Sequence, residues 1–255
     1  MGNTRHISYA AVCHQGLVRG KNQDNFWCDG VFLGCKNSGL DNILTGKAGI
    51  DSVPVFAVFD GLGGEIAGEE AAWLAAHTFN EKVRNRFARE ADIFLAEVFT
   101  SMNDAVCNYA ALNHIRHMGT TAAAVLFSDG AVWACNLGDS RIYMLREGGL
   151  TRLSEDHVSS VNFFIKPRIT QFLGIPDEEF RISPSLARNE IHNGDKYLLC
   201  SDGLTDMLVE TEIEAILSLA ESPDKAVRVL LTRAIETGGK DNITIIVCTV
   251  DSETY

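Results

Sequence analysis

The chain is short of positive charge. Lys and Arg number 22 against 34 Asp and Glu, a formal net charge of −12 over 255 residues. A protein that grips a nucleic-acid backbone needs clustered cations, so no nucleic-acid partner is expected. Long apolar runs are missing too. No stretch reaches the roughly 18 residues that a membrane-spanning helix needs, so no membrane partner is expected. Met1 to His6 lacks the apolar core of a signal peptide. The Met1-Gly2 start has His6 where the myristoylation pattern requires Ser or Thr. The seven cysteines include no Cys-x-x-Cys pair, which removes the common zinc and redox spacings. Cys135, Cys200 and Cys248 sit inside apolar runs and read as core thiols of a reducing compartment. There is no internal repeat, low-complexity tract or linker. The expectation is one soluble, cytoplasmic domain over 1–255.

What is present is a full complement of core-forming residues, 46% hydrophobic. Strands are expected at Ile7 to His14, Val53 to Phe59, Thr121 to Phe127, Ala131 to Leu137, Arg141 to Leu145, Lys196 to Cys200 and Asn242 to Val250. Asp29-Gly30 between Phe26-Trp27-Cys28 and Val31-Phe32-Leu33 signals a hairpin. Helical spacing of Ala and Leu runs from Glu65 to about Arg89 and from about Asp92 to Leu112, with two shorter helices near Thr211 to Leu219 and Asp224 to Glu236. Lys36 to Asp51 reads as a loop, and Leu150 to Arg181 as irregular. Strands and helices come in blocks rather than strict alternation. That favours an α/β sandwich of two mainly antiparallel sheets packed face to face, with helices on both sides.

Aspartates recur at the ends of the apolar runs. Asp60 closes Val53 to Phe59, Asp139 follows Leu137-Gly138, Asp202 follows Cys200-Ser201, and Asp241 precedes the last run. Each alone reads as a turn, because Asp bonds its own backbone and a neighbouring Gly tolerates positive φ. Together they are a way to gather hard oxygen ligands from distant parts of a chain, suited to Mg²⁺ or Mn²⁺. The glycines of Asp60-Gly61-Leu62-Gly63-Gly64 allow close backbone approach to a ligand. A dinucleotide fingerprint is the rival explanation there, but Ile66 stands at its third glycine position and Asp60 would repel a pyrophosphate. Arg19 offers a planar fork to a phosphoryl group, and Asp24 is a further hard ligand. His114 and His117, three apart, read as loop residues rather than as a metal chelate.

Seven segments in this order carry a resemblance: Arg19-x-x-Asn22-Gln23-Asp24; Val58-Phe59-Asp60-Gly61-x-Gly63-Gly64; Met118-Gly119-Thr120-Thr121; Asn136-Leu137-Gly138-Asp139-Ser140-Arg141; Leu153-Ser154-Glu155-Asp156-His157; Leu199-Cys200-Ser201-Asp202-Gly203-Leu204-x-Asp206; and Gly238-Gly239-Lys240-Asp241-Asn242-Ile243-Thr244. The chain resembles the metal-dependent serine/threonine protein phosphatases, the PPM or type 2C family, in its bacterial branch, from about Ile7 to Val250. The resemblance implies that Asp60 bridges two tightly held Mn²⁺ or Mg²⁺ ions and that the Gly61 carbonyl helps hold one of them. It further implies that Asp202 and Asp241 ligate the other, with Asp24 near the second ion. Asp139, with Asp202 and Asp206, would form a weaker third site, and Arg19 would bind substrate phosphate. Phosphorylated proteins would be the substrates and a cognate Ser/Thr kinase a partner. The implied reaction is direct attack of metal-activated hydroxide on phosphorus, with no phosphoenzyme.

Two departures stand out. Leu62 occupies the position of a histidine that many eukaryotic members carry, so the leaving alcohol must be protonated by another group. The flap is short: the eleven residues Val158 to Arg168, with Phe163, Phe164 and Ile165 among them, separate His157 from Ile169-Thr170-Gln171-Phe172-Leu173-Gly174, which implies a more open site. The alternative function is a catalytically weak pseudophosphatase, a module that binds a phosphoprotein or kinase without turnover.

Overall fold

Apolar runs without alternation are strands buried on both faces. The computed structural model describes residues 4–62, 67–85, 90–159 and 167–253. In it β4 (Val55–Asp60) sends Val55, Ala57 and Phe59 into one apolar layer and Phe56 and Val58 into another. The last strand, β11 (Ile243–Glu253), divides likewise: Ile243, Ile245 and Val247 face one layer, Ile246, Cys248 and Val250 the other. Doubly covered strands need three apolar layers, and the fold supplies them.

The first strand is β1 (Thr4–His14), followed by β2 (Asp24–Cys28), β3 (Leu44–Gly49), a 3-10 turn at Ile50–Ser52, and β4. Two long helices come next, α1 (Gly68–Arg84) and α2 (Ala91–Leu112). Then come β5 (Ala122–Ser128), β6 (Ala131–Leu137), β7 (Arg141–Arg146), β8 (Gly149–Arg152), β9 (Ser185–Glu190) and β10 (Lys196–Cys200). The helices α3 (Asp202–Thr205), α4 (Glu210–Leu219) and α5 (Pro223–Glu236) precede β11. One sheet has six strands in the order β3-β1-β11-β10-β7-β8; the other has five in the order β2-β4-β5-β6-β9. Every strand pairing among the described residues is antiparallel. The middle layer fills the space between the sheets, with Phe26, Phe56, Phe127 and Tyr197 among its largest side chains. A second lies between the five-stranded sheet and α1 and α2, and a third between the six-stranded sheet and α3 to α5. The expected sandwich, flanked by helices on both sides, is what the chain builds.

Local signals explain most boundaries. At α5, Ser222 caps the start by accepting the Lys225 amide, Pro223 occupies the first turn, and Gly238 and Gly239 end the helix at positive φ. Asp29 and Gly30 both take positive φ, as a two-residue hairpin turn requires, but only Val31 bridges back to Cys28 and no full strand follows. Lys36 to Asp51, expected to be a loop, contains the edge strand β3, whose residues alternate between half-buried and exposed. Its Gly46 is needed because the Tyr9 ring of the paired strand lies where a Cβ would be. The edge strand β8 likewise falls in a stretch expected to be irregular. Helix α1 covers the middle of the expected span; its outer parts, 65–66 and 86–89, lie outside the described residues.

The seven cysteines are free thiols, five of them buried. At one end of the sandwich, a polar staple joins the sheets. Arg146, at the end of β7, donates to both Asp195 carboxylate oxygens at 2.9 and 2.7 Å and to the Glu190 carbonyl at the end of β9. Asp195 also accepts from the His192 amide and the Tyr197 hydroxyl. Burial pushes its carboxyl up, but the Arg146 hydrogen bonds, the His192 amide and the Arg146 charge outweigh that and hold it below the ordinary aspartate range. A depressed folded-state pKa adds stability that is complete above the unfolded value of about 3.9 and is lost as pH falls through the folded value. Asp195→Ala is expected to lower unfolding free energy by about 3 kcal/mol, because Arg146 loses its buried partner. It should also flatten the acid limb of the stability profile below about pH 4. Urea unfolding at pH 7 and pH 3.5 checks both.

Candidate metal centre

The other end of the sandwich collects the aspartates, because termini of β2, β4 and β6 from one sheet and of β10 and β11 from the other meet there. Asp24 opens β2 and sits directly across from Asp60, the last residue of β4. Asp139 follows the end of β6, Asp202 the end of β10, and Asp241 precedes β11. Burial pushes the Asp60 carboxyl well above the usual range, and the carboxylates of Asp24, Asp202, Asp139 and Asp241 add to it in that order. Burial also raises Asp24, to about 7; hydrogen bonds from Thr244 and Ser201 pull it down, and Asp202 and Asp241 push it up. Five aspartates from five segments therefore share one electrostatic site. Asp206 is exposed at the end of α3, one turn beyond Asp202, whose carbonyl accepts its amide at 2.7 Å.

Each aspartate is held by its neighbours. The Asp60 amide donates to Thr121 Oγ1 at 3.1 Å, the Asp60 carbonyl accepts the Thr121 amide at 2.8 Å, and Thr121 Oγ1 is 2.6 Å from Ser140 Oγ. Next to it, the Gly61 amide donates to the Gln23 carbonyl and the Leu62 amide to Gly119. The Asp139 turn is braced by the Asp156-His157 segment. Arg141 grips the Asp156 carboxylate at 2.7–3.1 Å, the His157 amide reaches the Gly138 carbonyl, and Asn136 exchanges hydrogen bonds with the Glu155 backbone. Asp202 begins α3 with Gly203 behind it, where a Cβ would stand 1.9 Å from the Asn242 carbonyl. That contact presses α3 onto the lead-in to β11 and so sets Asp202 beside Asp241. Asn242 ties the 15–23 loop to the same place. Its Nδ2 donates to the Gln15 and Lys21 carbonyls, and its Oδ1 accepts the Gln23 amide. Gly16 turns beneath this knot at φ 79°, where a Cβ would lie 2.1 Å from the Asp241 carbonyl.

Arg19 reaches in from that loop. Its Nε donates to Asp241 Oδ1 at 2.8 Å and its Nη2 to Asp241 Oδ2 at 2.6 Å, a two-point fork with both partners partly solvent-exposed. The Asp241 hydrogen bonds hold Arg19 above its ordinary pKa, and Asp202 and Asp60 add attraction. Among the described residues, no three His, Cys, Asp or Glu side chains stand close enough to grip one ion as they are placed. The donor chemistry nevertheless fits a hard divalent cation. The ligands on offer are carboxylates, their charges raise the Asp24 and Asp60 carboxyls, and Asp24 Oδ1 is buried with no protein hydrogen-bond partner.

Beside the centre runs a groove of about 770 Å³, lined by Leu62, Arg116, His117, Arg168, Phe172 and Pro176 among others. His117 lines this groove rather than a ligand cluster, and His114 is exposed just past α2. The neck of the short flap is a narrow antiparallel pair: Val158 bridges Ile169, and the Ser159 amide donates to the Arg168 carbonyl. Phe163, Phe164 and Ile165 lie outside the described residues, as do Gly63 and Gly64. Residue by residue, the motifs name the aspartates but not the groups that seat them. Thr121, Ser140, Ser201, Asn242 and Thr244 were visible only as small polar residues repeated within the motifs.

The protein phosphatase 2C family model matches residues 42–237. The chain belongs to the protein phosphatase 2C family. It is 31% identical to the serine/threonine phosphatase Stp of Listeria welshimeri over 91% of each protein. It is 29% identical to the serine/threonine protein phosphatase PstP of Mycobacterium tuberculosis over 98% of this chain, and spans 46% of PstP's length. Among solved structures, the PstP catalytic domain in complex with two manganese ions superposes with a TM-score of 0.77 at 29% identity, over 97% of this chain and all of that one. PppA, a regulatory component of T6SS in Pseudomonas aeruginosa, gives 0.77 at 26% identity, over 98% of this chain and 100% of that one.

The close approach at Gly203 is a direct test of this geometry. Gly203→Ala should cost about 1–3 kcal/mol through overpacking, because the obstructing atom is backbone. Gly34→Ala, with nothing within 4 Å of its added Cβ, should stay within about 0.5 kcal/mol of wild type. Urea denaturation midpoints at constant m-value decide.

Proposed function

We propose that this chain is a metal-dependent phosphoprotein phosphatase acting on phosphoserine and phosphothreonine. The observation that carries the proposal is the convergence of Asp24, Asp60, Asp139, Asp202 and Asp241 on one site that Arg19 also enters. The two manganese ions of the PstP complex support the same reading. Asp60 and the Gly61 carbonyl, with Asp202, Asp241 and Asp24, would hold two Mn²⁺ or Mg²⁺ ions. Asp139 and Asp206, together with Asp202, would serve a weaker third. When bound, paired divalent cations lower the pKa of a shared water toward neutrality and neutralise phosphate charge.

The chain's own residues do the rest. Arg19 already holds a two-oxygen anion in the Asp241 carboxylate, and a phosphoryl group presents a similar pair of oxygens to the same fork. Its side chain, 40% exposed, has room to turn toward an incoming phosphate. There the guanidinium would balance charge on the equatorial oxygens as the leaving oxygen departs. Leu62 sets an apolar boundary between the aspartates and the groove, and it cannot donate a proton to that leaving oxygen. Phosphorylated proteins are the substrates in this reading, and the groove beside Leu62 gives space for residues flanking the phosphorylated side chain. A covalent phosphocysteine has no support. Cys200, adjoining the Ser201-Asp202 turn, is fully buried, and burial pushes its thiol up to about 12.

Hydrolysis of p-nitrophenyl phosphate is expected to depend on added Mn²⁺ and to be abolished by Asp60→Asn. Wild-type protein inactive with every divalent ion would leave the binding-module alternative standing. Asp139→Asn should lower turnover while calorimetry still counts two tightly bound Mn²⁺ ions. Loss of both would rule out a separate, weaker site at Asp139.

A further inference from the structure

Asp24 is the aspartate whose surroundings are most fully built. Its side chain is 2% exposed, and two hydroxyls, both on residues with no exposure at all, converge on a single oxygen of it. Ser201 Oγ is 2.8 Å from Asp24 Oδ2, and Thr244 Oγ1 is 2.7 Å from the same atom. The other oxygen, Oδ1, is equally buried and has no hydrogen-bond partner in the protein.

When Asp24 is ionised, both hydroxyls donate to Oδ2. A serine hydroxyl has one proton. Ser201 Oγ accepts the Thr244 amide at 2.9 Å, and its own proton goes to Asp24 Oδ2 at 2.8 Å, the nearer of two acceptors, the other being the Asn242 carbonyl at 3.5 Å. The ionised carboxylate only accepts, so the close Thr244 hydroxyl donates to it. Behind Thr244 stands Cys13, whose sulfur lies 3.3 Å from Thr244 Oγ1 and accepts Asn22 Nδ2 at 3.1 Å. The terminal torsion of an aspartate is broad and nearly two-fold. Two donors on one oxygen remove that equivalence: Oδ2 is pinned and Oδ1 faces the other way.

We propose that Ser201 and Thr244 are positioning residues that clamp Asp24 Oδ2 so that Oδ1 alone is offered to a divalent cation or to its bound water. The proposal rests on the metal-dependent reading above and adds to it the origin of one ligand's orientation. The groups that turn a ligand are commonly worth ten- to a hundred-fold in metal affinity. Thr244 sits on β11 and Ser201 immediately follows its paired strand β10, with the Ser201 amide donating to the Thr244 carbonyl at 3.1 Å, so the sheet anchors the clamp.

The test is calorimetric titration of Mn²⁺ into metal-free wild type, Thr244→Val, Thr244→Ser and Ser201→Ala, with circular dichroism to establish folding. Thr244→Val keeps the shape and removes the donor. It should weaken one Mn²⁺ site by about 10–100-fold and leave the other near wild type. Thr244→Ser restores the hydroxyl and should restore the affinity. Ser201→Ala should weaken the same site, and it carries the test if Thr244→Val does not fold. Wild-type affinity at both sites in Thr244→Val overturns the proposal. So does a Thr244→Ser variant as weak as Thr244→Val, because packing rather than the hydroxyl would then be the cause. Wild-type protein that takes up no Mn²⁺ overturns the metal-dependent reading, and this proposal with it.

Discussion

Like charges brought together in a partly dry place are the constraint around which this molecule is arranged. Asp60 has four other aspartates pressing on it, and each was delivered by a different segment. An arrangement of that kind is costly by itself, so the backbone beneath it must be over-determined. Sheet pairing sets Asp24 opposite Asp60, Asn242 knots the Arg19 loop to β11, and Gly203 allows α3 to rest on the Asn242 carbonyl. Arg19 supplies internal countercharge by chelating Asp241. The same balance explains why a chain with net charge −12 concentrates acid at one end of the sandwich and a buried Arg146-Asp195 staple at the other.

The two ends divide the labour of the fold. At the staple, each charge is matched and the carboxyl is held low, which favours rigidity. At the aspartate cluster, charges are mismatched and the Asp24 and Asp60 carboxyls are held high, which favours a ligand. Perturbed acids in both directions on one scaffold separate a structural ion pair from a binding site more cleanly than exposure does. Asp195 and Asp24 are equally buried, at 2% each.

Much of this was legible in the sequence, for physical reasons. Strands covered on both faces give unbroken apolar runs, and an aspartate ending such a run has its position fixed by the run. Asp60, Asp202 and Asp241 were therefore visible as site candidates before any fold was known. Edge strands were not: β3 buries only alternate residues, and its Gly46 and polar neighbours resemble a loop. The hydroxyl clamp on Asp24 was equally hidden. Ser201 and Thr244 are 177 and 220 positions from Asp24, and nothing local marks one hydroxyl as a donor to a distant carboxylate. The Arg19-Asp241 chelate spans 222 positions, and only the assembled fold brings the two together.

The six-stranded sheet has a temporal side. In the six-stranded sheet β1 is flanked by β3 and β11, and it pairs with β11 along its whole length, from Thr4↔Glu253 to His14↔Ile243. During synthesis the segment 4–14 emerges first and waits for 243–253, so its inner edge stays unzipped until almost everything between them has left the ribosome. Asp24 arrives early and Asp241 late. A nascent chain therefore carries most of the acidic residues long before it carries the site, and a chain cut short before β11 lacks the strand that pairs with both β1 and β10.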